Sequence, residues 1–419
     1  MIGTDPGQPS RARPAPCGAH VLVLVEPLPY PFDTRVRAQV EALLSAGHEV
    51  TVICPTGFGF DALDETIDGV RVLRFRMPKG GRGAVGYLRE YGASMLRMAR
   101  LVRRVGRERF VDVCLVCNPP DLLVALAFLL RRTGTRVVLD FREISPELYE
   151  AKFGARGVLH RLLLANERFA FRHSDVVMTV SEPCVTIVRE RGTIDPARIF
   201  LVGNGPDVRR VYPVDPRPEL RCGRAHLVLW LGSMSQQEGL GRLIMAADHL
   251  VNALGRDDMV FAMVGPGDVH DELRGEIESR GLGDVIHLSG AVGDDLVRAY
   301  MSTATVCVGV DERNAMNDRA AMRKILEYMA MGRAVVQFPL REMQRLCGDT
   351  TLYARNADAL HLAEQIARLL DDAQLRGELE RAARERVSQA LMWHHQVPRM
   401  LAAIDAALAG APHPRPARH

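Results

Sequence analysis

Ten short, largely apolar runs recur along the chain, at residues 20–25, 50–53, 111–116, 137–139, 176–180, 227–231, 259–264, 285–288, 306–310 and 335–336, with longer amphipathic segments between them. A strand with one wet face alternates apolar and polar side chains. Runs that stay apolar on both parities are buried on both faces, which requires a parallel sheet covered by helices. The intervening segments fit the covering layer. After Asp33, a plausible N-cap, Val36, Val40, Leu43 and Leu44 form one face of a helix that Gly47 ends.

The alternation pauses between Gly205 and Gly223, where Pro206, Pro213, Pro216 and Pro218 interrupt a mostly polar stretch, and then resumes. At 419 residues the chain exceeds one ordinary core. The expected organisation is a tail at 1–19, a Rossmann-like domain at 20–205, a linker at 206–224, a second Rossmann-like domain at 225–395, and a terminal helix with a tail at 396–419. Ligands of such α/β sheets lie at the carboxyl ends of the strands. The first strand is followed by Glu26-Pro27-Leu28-Pro29-Tyr30-Pro31 rather than G-x-G-x-x-G, which removes the fingerprint of a dinucleotide dehydrogenase.

Residues 316–332, followed by the apolar Ala334-Val335-Val336, predict a polar capping start, an amphipathic helix with Lys324 and Glu327 three apart, a Gly332 stop and a buried strand. A helix start offers N–H groups and a positive dipole end to an anion. Lys324 would assist, and Glu327 would accept hydroxyl hydrogen bonds, which suits a sugar nucleotide; an exposed Lys324–Glu327 ion pair is the plainer alternative.

This segment resembles the donor-binding helix of the retaining glycosyltransferases of family 4, whose pattern runs K-[IL]-x-E-[YA]-M-A-x-G-x-[PA]-V-V. The similarity extends over about residues 20–400 through Phe32-Asp33-Thr34-Arg35-Val36-Arg37 with Gly47-His48-Glu49-Val50, Asn118-Pro119-Pro120-Asp121, Ser145-Pro146-Glu147-Leu148-Tyr149, Gly203-Asn204-Gly205-Pro206-Asp207, Leu231-Gly232-Ser233, Val264-Gly265-Pro266-Gly267 and Leu288-Ser289-Gly290. The resemblance implies the GT-B architecture, with two facing Rossmann-like domains, parallel sheets and an interdomain cleft. It implies transfer of a sugar from a nucleoside diphosphate donor to a glycan or lipid-linked hydroxyl with retention of configuration, in surface polysaccharide or glycoconjugate synthesis.

Carried over by position, Gly232 and Ser233 would let the backbone approach the diphosphate, Gly265 and Gly267 would lie near the nucleotide, and Glu327 would hold the ribose. Asp33, Arg35 and Asn118 would line the acceptor side. The glycines have simple turn duty as their alternative.

Three departures from the family pattern bear on chemistry. The diphosphate-neutralising Arg and Lys of Gly-Arg-Leu-x-x-x-Lys-Gly are replaced in Gly232-Ser233-Met234-Ser235-Gln236-Gln237-Glu238-Gly239, where Glu238 has the opposite sign. Arg319 stands where the first acid of E-x7-E would precede Glu327, and Arg319, Arg323 and Lys324 at the helix start would meet the leaving-group charge instead. Arg142, before Glu143, occupies the place of the usual sugar-contacting His; always protonated, it can donate hydrogen bonds but cannot act as a base. With Arg142, Glu143 and Glu327 as the catalytic set, positioning and electrostatics would supply most of the rate. The same architecture leaves two alternatives open, a nucleotide-sugar epimerase and a non-catalytic nucleotide-sugar-binding partner of another transferase.

No D-x-D occurs and the histidines are dispersed, so no metal or other cofactor is expected beyond the donor itself. Cys114 and Cys117 lie three apart in a predicted strand and point to opposite faces, against zinc or redox pairing. The eight cysteines, mostly within apolar runs, suit a reducing compartment, and with no signal-peptide core near the N-terminus a cytoplasmic protein is expected. Formal charge is only +3, and no nucleic-acid motif accompanies it. Residues 81–110 nevertheless hold eight arginines with Tyr87, Leu88, Tyr91, Met95, Leu96 and Leu101 interleaved. That pattern suits either an anionic membrane surface or the charged outside of a covering helix.

Overall fold

The computed structural model describes residues 18–77, 83–131, 134–154 and 156–410, with the backbone alone for 83–91. The tails expected at 1–19 and 396–419 therefore lie outside it at residues 1–17 and 411–419. Two compact units divide the chain, one of residues 1–115, 126–137 and 404–419, the other of 116–125 and 138–403.

The first sheet is built from β1 (His20–Val25), β2 (Glu49–Pro55), β3 (Asp64–Ile67), β4 (Val70–Phe75), β5 (Val113–Cys117), β6 (Arg136–Phe141), β7 (Val176–Thr179) and β8 (Ile199–Leu201). Its order is β3-β4-β2-β1-β5-β6-β7-β8, with β3 antiparallel to β4 at one edge. The second sheet holds β9 (His226–Leu231), β10 (Met259–Val264), β11 (Ile286–Leu288), β12 (Val306–Gly309), β13 (Ala334–Gln337) and β14 (Leu352–Tyr353) in the order β11-β10-β9-β12-β13-β14. All of its neighbours pair in parallel.

Burial on both faces is visible residue by residue in this second sheet. Val228, Trp230, Phe261, Met263 and Val308 face one core, with Leu243, Ile244, Leu273 and Ile366 from the covering helices. The alternate positions Leu229, Val260, Ala262 and Cys307 face another, with Ile325, Tyr328 and Met329. The chain leaves β9 toward β10 and β11, then returns to β12 on the other side of β9. Strand order therefore reverses between β9 and β12, and a crevice at the carboxyl ends of these two strands follows from the topology.

In the first unit, Asp33 caps the helix Thr34–Ser45 as the sequence predicts, its Oδ1 accepting from the N–H groups of Arg35 and Val36, each at 3.0 Å. Gly47, at φ +83°, ends the turn beyond it. The arginine-rich segment contains the helix Gly83–Glu108, whose Met98, Val102 and Val105 are buried. Arg104 pairs with Asp64 and Glu108, and Arg109 with Glu49. Arg82 lies outside the described residues, as do the side chains of Tyr87, Leu88, Arg89 and Tyr91. Cys114 and Cys117 are both buried in β5. Among the described residues, no helix is long and apolar enough to cross a membrane, and no three His, Cys, Asp or Glu side chains gather as metal ligands do.

Candidate functional site

Three strand-end loops of the second unit lie backbone against backbone. The Gly232 N–H donates to Val264 O at 3.1 Å, Met234 N–H to Pro266 O at 2.7 Å, and Gly265 N–H to Gly290 O at 3.0 Å. Glycine is obligatory in this stack. A Cβ on Gly265, at φ +141°, would overlap the Gly232 carbonyl, and one on Gly267 would overlap the Met234 carbonyl. A Cβ on Gly232 would press to 2.8 Å from the Trp230 ring. The turn duty of these residues is thus a close-approach requirement, and it leaves Ser233 exposed beside them.

The predicted helix over 316–332 is broken in two. Asn317–Arg319 form a separate 3-10 turn, and the helix proper is Arg323–Ala330, with no side-chain cap at Met322. Local side chains cause the break. Asn314 Oδ1 accepts from the Met316 and Asn317 N–H groups at 2.9 and 2.8 Å, Asn317 Nδ2 donates to Glu312 O at 2.8 Å, and Ala320 is extended. Tyr328, fully buried, accepts the Leu231 N–H at 2.7 Å, which ties this helix to the end of β9.

Arg319, Arg323 and Lys324 therefore do not form one basic cluster at a helix start. Arg323 Nε is 2.8 Å from Glu327 Oε1, and Arg319 Nη1 is 3.5 Å from Glu147 Oε1. Lys324 does not pair with Glu327. Its Nζ donates to Glu238 Oε2 at 2.5 Å and to Asp311 Oδ1 at 3.1 Å, and stands 4.9 Å from the centre of the Trp230 ring. Asp311 follows β12 and Glu238 follows β9, so the ion cluster occupies the strand-order reversal. Glu238, of the wrong sign for a phosphate, is thus a partner of Lys324.

Burial alone would lower the Lys324 pKa. Asp311 and Glu238 outweigh it, and the ammonium stays above its usual range. Burial raises the Glu238 carboxyl, and the nearby Asp311 charge adds to it against Lys324. One cation between two carboxylates leaves the second incompletely compensated.

A second arrangement in the same unit surrounds Asn118, which follows β5 and precedes two cis prolines, Pro119 and Pro120. Its Nδ2 donates to Asp121 Oδ1 at 2.9 Å and to Glu143 O at 2.8 Å, while its Oδ1 accepts from the N–H groups of Arg142 and Glu143 at 2.6 and 3.1 Å. Both donors and both lone pairs of the amide are thereby used. Asn118, expected on the acceptor side, positions the Arg142 loop in this conformation. Arg142 Nε lies 2.9 Å from the buried Asp140 Oδ2. Burial raises the Glu143 carboxyl, opposed by Arg142.

Next to this loop the helix Ser145–Phe153 begins. Its Glu147 is held by Arg191, which also donates to Glu167 Oε1 at 2.9 Å. Ser181, after β7, donates to Arg319 O at 2.7 Å, so the turn Asn317–Arg319 is fixed from both Glu147 and Ser181. Asp33 and Arg35 belong to the first unit, where the Asp33 carboxylate caps its helix. Asp311, Glu147, Arg191, Trp230 and Tyr328 were not singled out from the sequence. Asp311 and Glu147 carried a signal, an acid just after a strand and an acid in a matched stretch.

The sequence matches two family models, Glycosyl transferase 4-like domain over residues 33–205 and Glycosyl transferases group 1 over 225–372. The chain is built of glycosyltransferase family 4 and group 1 domains of the GT-B type. This glycosyltransferase is 25% identical over 291 residues to 2-deoxystreptamine N-acetyl-D-glucosaminyltransferase of Streptomyces fradiae, covering 67% of this chain and 68% of that protein. Its fold is similar to sucrose-phosphate synthase from Thermosynechococcus elongatus (TM-score 0.76, 18% identity, covering 94% of this chain and 100% of that one). It is also similar to Anabaena HepE in complex with UDP and glucose (TM-score 0.72, 16% identity, 93% and 100%).

Proposed function

We propose that this glycosyltransferase moves a sugar from a nucleoside diphosphate sugar to a hydroxyl of a glycan or lipid-linked acceptor, with retention of anomeric configuration, in the synthesis of a surface polysaccharide or glycoconjugate. The observation that carries the reading is the coincidence, at the reversal between β9 and β12, of a side-chain-free glycine stack with the Lys324 ammonium. The stack, bare of side chains, lets a diphosphate approach the loop at the exposed Ser233, and Lys324 supplies a cation once Glu238 yields its share.

Glu327, with only Arg323 as a side-chain partner among the described residues, keeps acceptor capacity for the ribose hydroxyls. Arg142, aimed by Asn118, donates to the transferred sugar or its phosphate. The leaving phosphate takes the acceptor proton on the same face of the sugar, so positioning rather than a protein base supplies the rate. No metal takes part in this scheme. The description of HepE as a complex with UDP and glucose supports a UDP-type donor. The expected location is the cytoplasm, peripheral on the inner face of the membrane.

Calorimetric titration with a panel of nucleoside diphosphate sugars, followed by NMR of the product anomer after incubation with membrane extract, tests the reading. Absence of binding to every donor overturns it, and an inverted anomer overturns retention. A second reading, donor binding without turnover, is favoured by the compensated cations at Lys324, Arg323 and Arg319. Binding with no transfer to any acceptor would select it.

A further inference from the structure

The helix Val158–Arg172 is apolar on its outer as well as its inner side over its first half. Its inner face is set by Glu167, Ala170 and Phe171, all buried, with the Phe171 ring edge-on to Phe141 at 4.9 Å. At 100° per residue, Val158, Leu162 and Ala165 lie on the opposite side, where a soluble helix carries polar groups. They are solvent-exposed, Val158 at 75% and Leu162 at 59%, and Leu159 (50%) and Phe153 (60%) extend the apolar surface.

Arg161, Arg168 and Arg172 run along the flank of this stripe at spacings of seven and four, all exposed, and none has a carboxylate partner among the described residues. The helix has a single acid, Glu167, which is buried against Arg191. An exposed apolar stripe bordered by uncompensated arginines is complementary to a surface apolar within and anionic at its rim.

We propose that this face docks the protein on an anionic lipid bilayer, Val158, Leu159, Leu162 and Phe153 entering the headgroup boundary and the three arginines meeting lipid phosphates. The surface differs from the 81–110 segment, where Arg104 and Arg109 are taken by acids of the protein. Its position bears on the substrate. Phe153 ends the helix whose Glu147 approaches Arg319, six residues or about 9 Å along the axis. A docked bilayer thus stands beside the candidate site, and, resting on the transferase reading above, the acceptor class it favours is a lipid-linked glycan or lipid headgroup.

Co-sedimentation of the full-length protein with phosphatidylcholine vesicles, with and without about 30% phosphatidylglycerol, tests the docking at low and high salt. Partition is expected onto the anionic vesicles only, weakening with salt. The double variant Val158→Asp/Leu162→Asp should lose at least about tenfold in partition, as should Arg161→Ala/Arg168→Ala/Arg172→Ala, with melting temperature and UDP binding unchanged because these side chains face solvent. Three results overturn the proposal: no partition by the native protein, native-like partition by the Asp variant, or an apolar face that instead forms a dimer abolished by the same substitutions. UDP titration on the same samples separates the outcomes, since failed donor binding with intact vesicle binding removes the transferase reading and leaves the docking standing.

Discussion

Lys324 Nζ lies 2.5 Å from Glu238 Oε2, bridging the helix Arg323–Ala330 to the loop after β9. Asp311, at 3.1 Å, closes the arrangement from the end of β12. The ammonium that the sequence offers to a diphosphate is therefore already engaged, and on the proposed reading donor binding here is an exchange of partners.

Removing Glu238's charge should ease that exchange. Glu238→Gln is expected to tighten donor binding about three- to tenfold by calorimetry, since Lys324 keeps Asp311 and gains a free charge-pairing site. The sign of the pH effect follows. Glu238 titrates above the usual carboxyl range, so donor affinity of the native protein rises as pH falls toward that range, and the Gln variant flattens the rise. Weaker binding by Glu238→Gln contradicts the exchange. Lys324→Ala should lose donor affinity tenfold or more, but it also strands two carboxylates at a cost of about 3–5 kcal/mol, so the Lys324→Ala/Glu238→Gln pair is the cleaner comparison.

Asn118 offers a separate test of positioning. Its amide makes four hydrogen bonds and holds the backbone of Arg142 and Glu143. Asn118→Ala orphans two N–H groups and should cost about 2–4 kcal/mol of stability. Asn118→Asp places an oxygen where a donor must face Asp121 and Glu143 O, and should be worse. If Asn118 acts through the loop, transfer rate falls more than donor affinity. A native rate in a folded Asn118→Ala protein contradicts the role.

What the sequence makes legible follows the physics of burial. All ten apolar runs lie in or across strands, because a strand buried on both faces leaves an unbroken apolar run. The strands it hides are β3, β4, β8 and β14, which lie at or beside sheet edges and carry short or mixed segments such as Asp64–Ile67. The same limit applies to the site. The positions of Lys324 and Glu327 are readable from local pattern, whereas their partners are not. Glu238 and Asp311 reach Lys324 from 86 and 13 residues away, and such distances are set by strand order alone. The helix break at Ala320 was hidden for a nearer reason, since Asn314 and Asn317 serve equally as helix caps or as turn formers.

The glycine stack predicts steric sensitivity without any polar change. In Gly265→Ala the new methyl meets the Gly232 carbonyl, and the backbone at φ +141° is strained for any L side chain. The expected loss is about 1–3 kcal/mol in stability, with donor affinity reduced further because the loop ends shift apart. Gly275→Ala, on a helix with open space around its Cβ position, is the control and should be neutral or slightly stabilising. Equal melting temperatures for the two variants would show that the loops do not need this contact.

Glu167 gives the fold a pH dependence whose direction can be derived. Burial pushes its carboxyl up to about 7, Arg191 opposing without prevailing, and one oxygen has no hydrogen-bond partner among the described residues. Between the unfolded carboxyl range near 4.5 and about 7, the native state holds a proton that the unfolded chain has released. Stability therefore falls as pH rises through this window and levels off above it, by roughly 3 kcal/mol in all. Asp121, raised by burial to about 6, acts in the same direction. Urea unfolding at a series of pH values should show native stability decreasing from mildly acidic to slightly alkaline conditions. Glu167→Gln, neutral throughout and able to keep a hydrogen bond to Arg191, should remove the slope between about pH 6 and 7, where Asp121 no longer titrates, and roughly halve it below. A slope unchanged in the Gln variant would assign the pH dependence elsewhere.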